Sequence, residues 1–327
     1  IQSQEAVEEY GEFTPPAGAA LMRVRTLKAD GRILEPESVA GKESLSLPEL
    51  RPGDAVEFEY VRALSTNDLA PGGFVGDRFY FRGFEVPYDR SEYVVVTPRE
   101  MPVVVDPRGE APTLVRTDRG ALIEHRWVAR QSDRMSPEPR SVAAREFIPS
   151  VSAGSGATWN RFVDALRERL ADQDVADPAA VRVAREIVGD ARTPSAKLTR
   201  PHHWVLEHLQ SEGGGTPFES APRMLAAHQG HRTRVLCYLL NLQGVPCEMA
   251  LVRQGSADAT VSELADDDTY QSIMLRVRTE QGERWVTAAD HNAPVSYIPP
   301  AVAGGEAIVL AEGAARTRLP PLDLNAH

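Results

Sequence analysis

The sequence predicts an α+β protein, with an antiparallel β-sandwich first and a domain of helices followed by an antiparallel sheet second. Three observations point there. Up to about Ser150 the chain runs in short stretches of alternating polarity broken by Pro, Gly and Asp, the period-two pattern of half-buried strands. After Ser155 the apolar residues Trp159, Phe162, Val163, Leu166 and Leu170 recur at helical spacing. The length, 327 residues, exceeds what one core usually serves, since domains cluster near about 100–150 residues. The expected division is 1–152 for the sandwich, 153–305 for the α+β domain, and 306–327 for a tail that enters a further β-domain.

In the first part, residues 54–62 place Val56, Phe58 and Tyr60 on the buried side of a strand and Glu57 and Glu59 on the other. Pro52-Gly53 forms the turn before it. Residues 93–96 and 102–105 supply further strands, and 113–116 with 121–129 form a hairpin around Asp118-Arg119-Gly120. Ile123, His125 and Trp127 share one face of that hairpin, which makes His125 a core residue rather than a ligand.

In the second part, Asp177 is placed as an N-cap with Pro178 in the first turn of a helix that continues through 181–188. Another helix is expected over 202–210, followed by a break at Gly213-Gly214-Gly215. Residues 232–243 are the most apolar helical stretch. Val235, Leu236, Leu239, Leu240 and Leu242 leave it little polar surface, so it is a buried central helix, with Gly244 as its left-handed cap. Strands are expected at 248–253, 272–277 and 284–287, and helices followed by such a sheet make an α+β domain.

Charge narrows the functions. The net charge of −11 comes from carboxylates dispersed among arginines and repels polyanions, which argues against nucleic acid. No stretch approaches the roughly 20 apolar residues of a membrane helix, so no membrane insertion is expected. Lysine occurs only at Lys28, Lys42 and Lys197, the arginine-rich usage of a GC-rich bacterial genome. Cys237 and Cys247 are too few for a disulfide framework and lack metal-ligand spacing. A bridge between them requires Cβ atoms within about 4.5 Å. His202-His203, His228 and His231 likewise lack the spacing of a zinc site, and no cofactor or metal is expected. Asp266-Asp267-Asp268 reads as a solvated loop rather than a calcium site, and Gly72 to Gly76 is too weak a pattern for a phosphate loop. The start at Ile1, without an initiator Met, fits a processed form or a piece of a multidomain protein, which would allow an exported or periplasmic place, and the compartment itself is not read from the sequence.

Three segments resemble the transglutaminase-like (papain-type) superfamily. Residues 222–252 look like its leucine-rich helix, Gly-Ile-Pro turn and following strand. Residues 270–277 are similar to the strand that carries its histidine, and 285–299 to its Trp-Leu-Asp-Pro-Thr-Asp segment. Residues 31–36 and 47–60 resemble the DUF3857 domain, a module commonly found directly before a transglutaminase-like one. The resemblance implies thiol chemistry: a cysteine at the N-terminal end of the buried helix, a histidine on the neighbouring strand and an orienting aspartate on the next.

Those positions are degenerate here. The family's Gly-x-Cys is matched by Gly230-His231-Arg232, which puts Arg232 in the nucleophile position, whereas counting back from Gly244 without a gap gives Gln229. The histidine column falls on Ser272 and the aspartate column on Thr287, while Asp290 matches a second, structural aspartate. The resemblance therefore implies a non-catalytic pseudoenzyme that binds protein or peptide, or acts as a scaffold. In its vestigial cleft Arg232 would clamp a carboxylate, and Gln229, His231, Ser272 and Thr287 would hydrogen-bond a peptide, or the same residues would plug the old site. The alternative is a thiol-dependent hydrolase or acyltransferase relocated to Cys237, His231 and Asp290.

Overall fold

The computed structural model describes residues 1–38, 41–63, 73–136, 138, 143, 146–174, 176–211, 218–257, 262–265 and 270–322. It forms two compact units, Ile1–Ser65 and Thr66–His327.

The first unit holds helix α1 (Gln4–Tyr10) and strands β1 (Glu12–Phe13), β2 (Ala19–Leu27), β3 (Ile33–Leu34), β4 (Glu37–Ser38), β5 (Leu45–Ser46) and β6 (Ala55–Arg62). They make two antiparallel sheets of order β3-β2-β6 and β1-β5-β4. The turn into β6 is fixed by Asp54, whose carboxylate accepts from Lys28 Nζ at 2.5 Å and from the N–H groups of Ala29 and Arg51. The Lys28 bond above all draws this carboxyl down to about 2. β6 falls where expected, but its apolar side is not buried: Phe58 and Tyr60 are each 44% exposed. Alternation dictates which side chains share a face; whether that face is covered depends on what packs there, here Phe13 stacked on Phe58 at 4.7 Å.

The second unit begins with strands β7 (Phe74–Val75), β8 (Phe79–Tyr80), β9 (Tyr88–Pro98), β10 (Val104–Arg108), β11 (Val115–Asp118), β12 (Leu122–Ser132) and β13 (Ser150–Ser155). One sheet has the order β11-β12-β9; the other runs β10-β13-β7, with β8 also on β13. Side chains from both meet in one core, Trp127, Tyr93 and Val95 from the first and Phe79, Val105, Val151 and Ala153 from the second, so the strands form a sandwich. His125 lies in the same row as Trp127 and is buried, as its place in the alternation requires.

The α+β domain follows. Helices α2 (Trp159–Gln173), α3 (Pro178–Val188), α4 (Pro194–His208), α5 (Ala221–Ala227) and α6 (Arg232–Leu242) precede strands β14 (Cys247–Val252), β15 (Ser272–Thr279), β16 (Gly282–Val286), β17 (Glu306–Val309) and β18 (Arg316–Arg318). Helices followed by an antiparallel sheet are the order expected of the second part. Asp177 caps α3 by accepting from the N–H groups of Ala179 and Ala180, with Pro178 in the first turn. α4 starts eight residues before the expected 202, capped by Thr193, and carries Pro201 inside it.

α6 is buried from Thr233 through Leu240. It ends in a Schellman motif: Val245 N–H bonds Leu240 O, Gly244 N–H bonds Asn241 O, and Gly244 has φ 69°. The sheet it packs on has the antiparallel order β16-β15-β14-β17-β18. Residues 306–318, expected to lead into a further β-domain, thus complete this sheet. β17 pairs with β14 and is buried along its whole length, with Ile308 in the core on one face of the sheet and Ala307 and Val309 in the core on the other. The expected break at 213–215, the acidic run at 266–268 and Gly72 lie outside the described residues.

Candidate functional site

The site is built where the N-terminal turn of α6 meets the end of β16. His231 is the N-cap of α6, and its Nδ1 accepts the N–H of Arg234 at 3.3 Å, the role usually taken by a Ser, Thr, Asp or Asn oxygen. Two residues on, Thr233 faces the sheet. Its Oγ1 accepts the N–H of Ala288 at 3.0 Å and lies 3.4 Å from Thr287 Oγ1, which in turn accepts the N–H of Ala289 at 3.2 Å.

α4 closes the cluster from behind. His202 Nε2 lies 3.1 Å from the carbonyl oxygen of Thr287. A carbonyl can only accept, so this nitrogen carries a proton, and Nδ1 is buried with no hydrogen-bond partner among the described residues. Thr233 and His202 are 0% exposed and Thr287 2%, which leaves no route for a substrate to either hydroxyl.

The other predicted residues are spread around this cluster. Arg232 is half-buried and gives its Nε–H to Leu209 O at 2.8 Å. Gln229 precedes the helix, exposed, in a bridge with Gln210. Ser272 opens β15 opposite Val252, beyond the last β15–β16 pair, Leu275 with Val286. The structure therefore brings Thr287 to the helix terminus but joins it to Thr233, a residue the motif comparison passed over. Thr233 stands three and seven positions before Leu236 and Leu240 and so shares their face; helix phase is the signal that could have found it.

Cys237, His231 and Asp290 do not assemble into a site. Cys237 is 3% exposed and is joined in a disulfide to Cys247, their Cα atoms 5.5 Å apart, a separation such a bridge requires. No free thiol remains. Asp290 is exposed and accepts the N–H of Asn292 in its own turn. Next to Thr233, the buried Arg234 pairs with Asp174 at the end of α2. Among the described residues no group of three His, Cys, Asp or Glu could hold a metal ion, and no helix is long and apolar enough to cross a membrane.

Three histidines respond to this packing. Burial pushes His202, His231 and His125 below the ordinary imidazole value of 6.5, with Arg234 adding to the effect at His231 and Arg116 at His125. In the unfolded chain each binds a proton near pH 6.5 that the folded state refuses. Stability is therefore complete above that pH and is lost as pH falls through 6.5 toward the folded values, by at most about 1.4 kcal/mol per pH unit per histidine. Urea unfolding at pH 7.5, 6.5 and 5.5 measures the slope, and His202→Gln should reduce it.

Residues 38–135 match the family model described as Domain of Unknown Function with solved-structure structure (DUF3857). The match runs from β4 to just past β12. No curated protein matches the chain. Among solved structures, the chain is similar to the crystal structure of a candidate protease from Parabacteroides distasonis ATCC 8503, with a TM-score of 0.70 and 14% identity. That alignment covers 98% of this chain and 66% of the other, so the chain spans just under two thirds of that protein. The crystal structure of a candidate cysteine protease from Cytophaga hutchinsonii aligns over 75% of this chain and 82% of its own, at a TM-score of 0.30 and 12% identity. At 14% identity the likeness to the first is one of fold.

Proposed function

We propose that the α+β domain is a non-catalytic, transglutaminase-like pseudoenzyme whose role is protein or peptide binding or scaffolding. One observation carries this: the sealed cluster of Thr233, Thr287 and His202 at the N-terminal turn of α6. Thiol catalysis needs an ionisable sulfur at a helix N-terminus and a base within hydrogen-bond reach. In their place stand a hydroxyl already accepting a backbone N–H and an imidazole already donating to a carbonyl. Both cysteines are tied together elsewhere. This supports reading Thr233 and Thr287 as a plug of the old site, with Arg232 and Gln229 at its outer edge.

The test is incubation of the native chain with iodoacetamide and, separately, with casein and peptide amides. The expected result is no alkylation before denaturation and reduction, and no hydrolysis or transamidation above buffer. Turnover that disappears in Cys237→Ser or in Thr233→Ala would defeat the proposal.

A further inference from the structure

α3, α4 and α5 line an open groove of about 480 Å³ that the threonine cluster does not use. Its wall is apolar: Val183 and Ile187 from α3, Trp204 from α4, and Pro222 and Leu225 from α5. Trp204 is braced in place. His208 stacks on it at 5.0 Å between ring centres and 6° between planes, and His228 lies 5.7 Å away at 50°. His228 is itself fixed as the left-handed cap of α5, with φ 52° and ψ 31°. The half-buried indole is thus a rigid wall of the groove.

The polar part of the lining has one sign. Asp177, Glu186 and His228 line it, and among the described residues neither lysine nor arginine does. Among the described residues the Asp177 carboxylate meets backbone N–H groups alone, and Glu186 is exposed and makes no ion pair or hydrogen bond. The space is of the size that accepts one or a few apolar side chains. An anion there would meet two carboxylates with no cationic side chain among the described lining residues. A neutral apolar group would desolvate them without return. A cation beside an apolar anchor satisfies both the wall and the rim.

We propose that this groove binds a polypeptide segment in which an aromatic or branched apolar residue stands next to an arginine or lysine. The apolar residue enters against Trp204, Val183 and Ile187, and the cation lies on Glu186 and Asp177. This assigns a binding surface away from the sealed threonine cluster, and it stands whether or not the domain has catalytic activity.

The experiment follows the indole N–H resonances of the four tryptophans by two-dimensional NMR on the full chain, with Trp204→Phe assigning the signal of interest. The probe is a capped Gly-Arg-Phe-Arg-Gly peptide, and the control replaces both arginines by glutamate. The arginine peptide should shift the Trp204 signal saturably at about millimolar concentration or below, and the glutamate peptide should leave it in place. Glu186→Lys, a change at an exposed residue, should weaken binding about five- to tenfold. An unmoved Trp204 signal, equal shifts with the two peptides, or full affinity in Glu186→Lys would overturn the proposal. None of these outcomes bears on whether the chain hydrolyses amides.

Discussion

Arg253→Ala should lower the unfolding free energy of the second unit by about 3–5 kcal/mol, the usual cost of removing one partner from a buried ion pair. The guanidinium is 2% exposed, at the end of β14. It meets Glu146 at 2.9 Å and Glu306 at 4.0 Å. Glu306 also accepts from Tyr270 Oη at 2.9 Å and pairs with Arg316 at 3.3 Å, and burial beside this carboxylate pushes the Tyr270 hydroxyl up. Removing Arg253 leaves two carboxylates buried without it, and a buried charge costs more than the lost attraction suggests. Urea titration followed by far-UV circular dichroism measures the loss. The double variant Arg253→Met with Glu146→Gln should recover part of it; a loss below about 1 kcal/mol in Arg253→Ala alone would mean that water already reaches these groups.

The second large effect belongs to the cysteines. Replacing both Cys237 and Cys247 by alanine should cost about 3 kcal/mol, the chain-entropy value for a loop of this length, spanning 10 positions. The bridge ties the buried helix α6 to the central strand β14, so its loss is felt within the domain's main core. Asn241 helps fix the same corner, accepting the N–H of Cys247 at 3.0 Å and donating to its carbonyl at 3.1 Å. Dithiothreitol should lower the thermal midpoint of the native chain and leave that of the double variant unchanged. A native midpoint indifferent to reductant would mean that the bridge contributes nothing to stability.

The parts of the fold legible in the sequence are those where a local rule and the tertiary packing agree. Asp177-Pro178 starts a helix because the cap chemistry is complete in two residues. α6 is readable from its leucines and from Gly244, whose missing side chain permits the positive φ that the Schellman turn requires. Thr193-Pro194 carries the same start signal for α4, but Pro201 further on masks it, since a proline inside a helix normally ends it.

What was not legible depends on distant partners. The exposed side of β6 could not be read because nothing in a strand's own alternation states whether a second layer covers it. The cysteine pair could not be decided because it depends on how closely a helix passes a strand. Thr233 was missed for a different reason: motif comparison counts residues in sequence, whereas the hydroxyl that meets Thr287 is selected by the rotation of α6 about its axis. The same limit applies to His231, an imidazole acting where a small oxygen-bearing side chain is expected.

Gly230 is held by the shape of its turn. It has φ 132°, and its N–H bonds Gln210 O at 2.9 Å. A β-carbon added there would meet Met224 Sδ at 2.5 Å and Cγ at 2.6 Å, inside a side chain that is buried and whose sulfur receives the N–H of His231. Mutational drift at this position is therefore blocked by backbone geometry and crowding, whatever residue follows two places later. A glycine here is required by the turn itself, and finding one before a helix start is evidence of that turn whatever chemistry the helix carries.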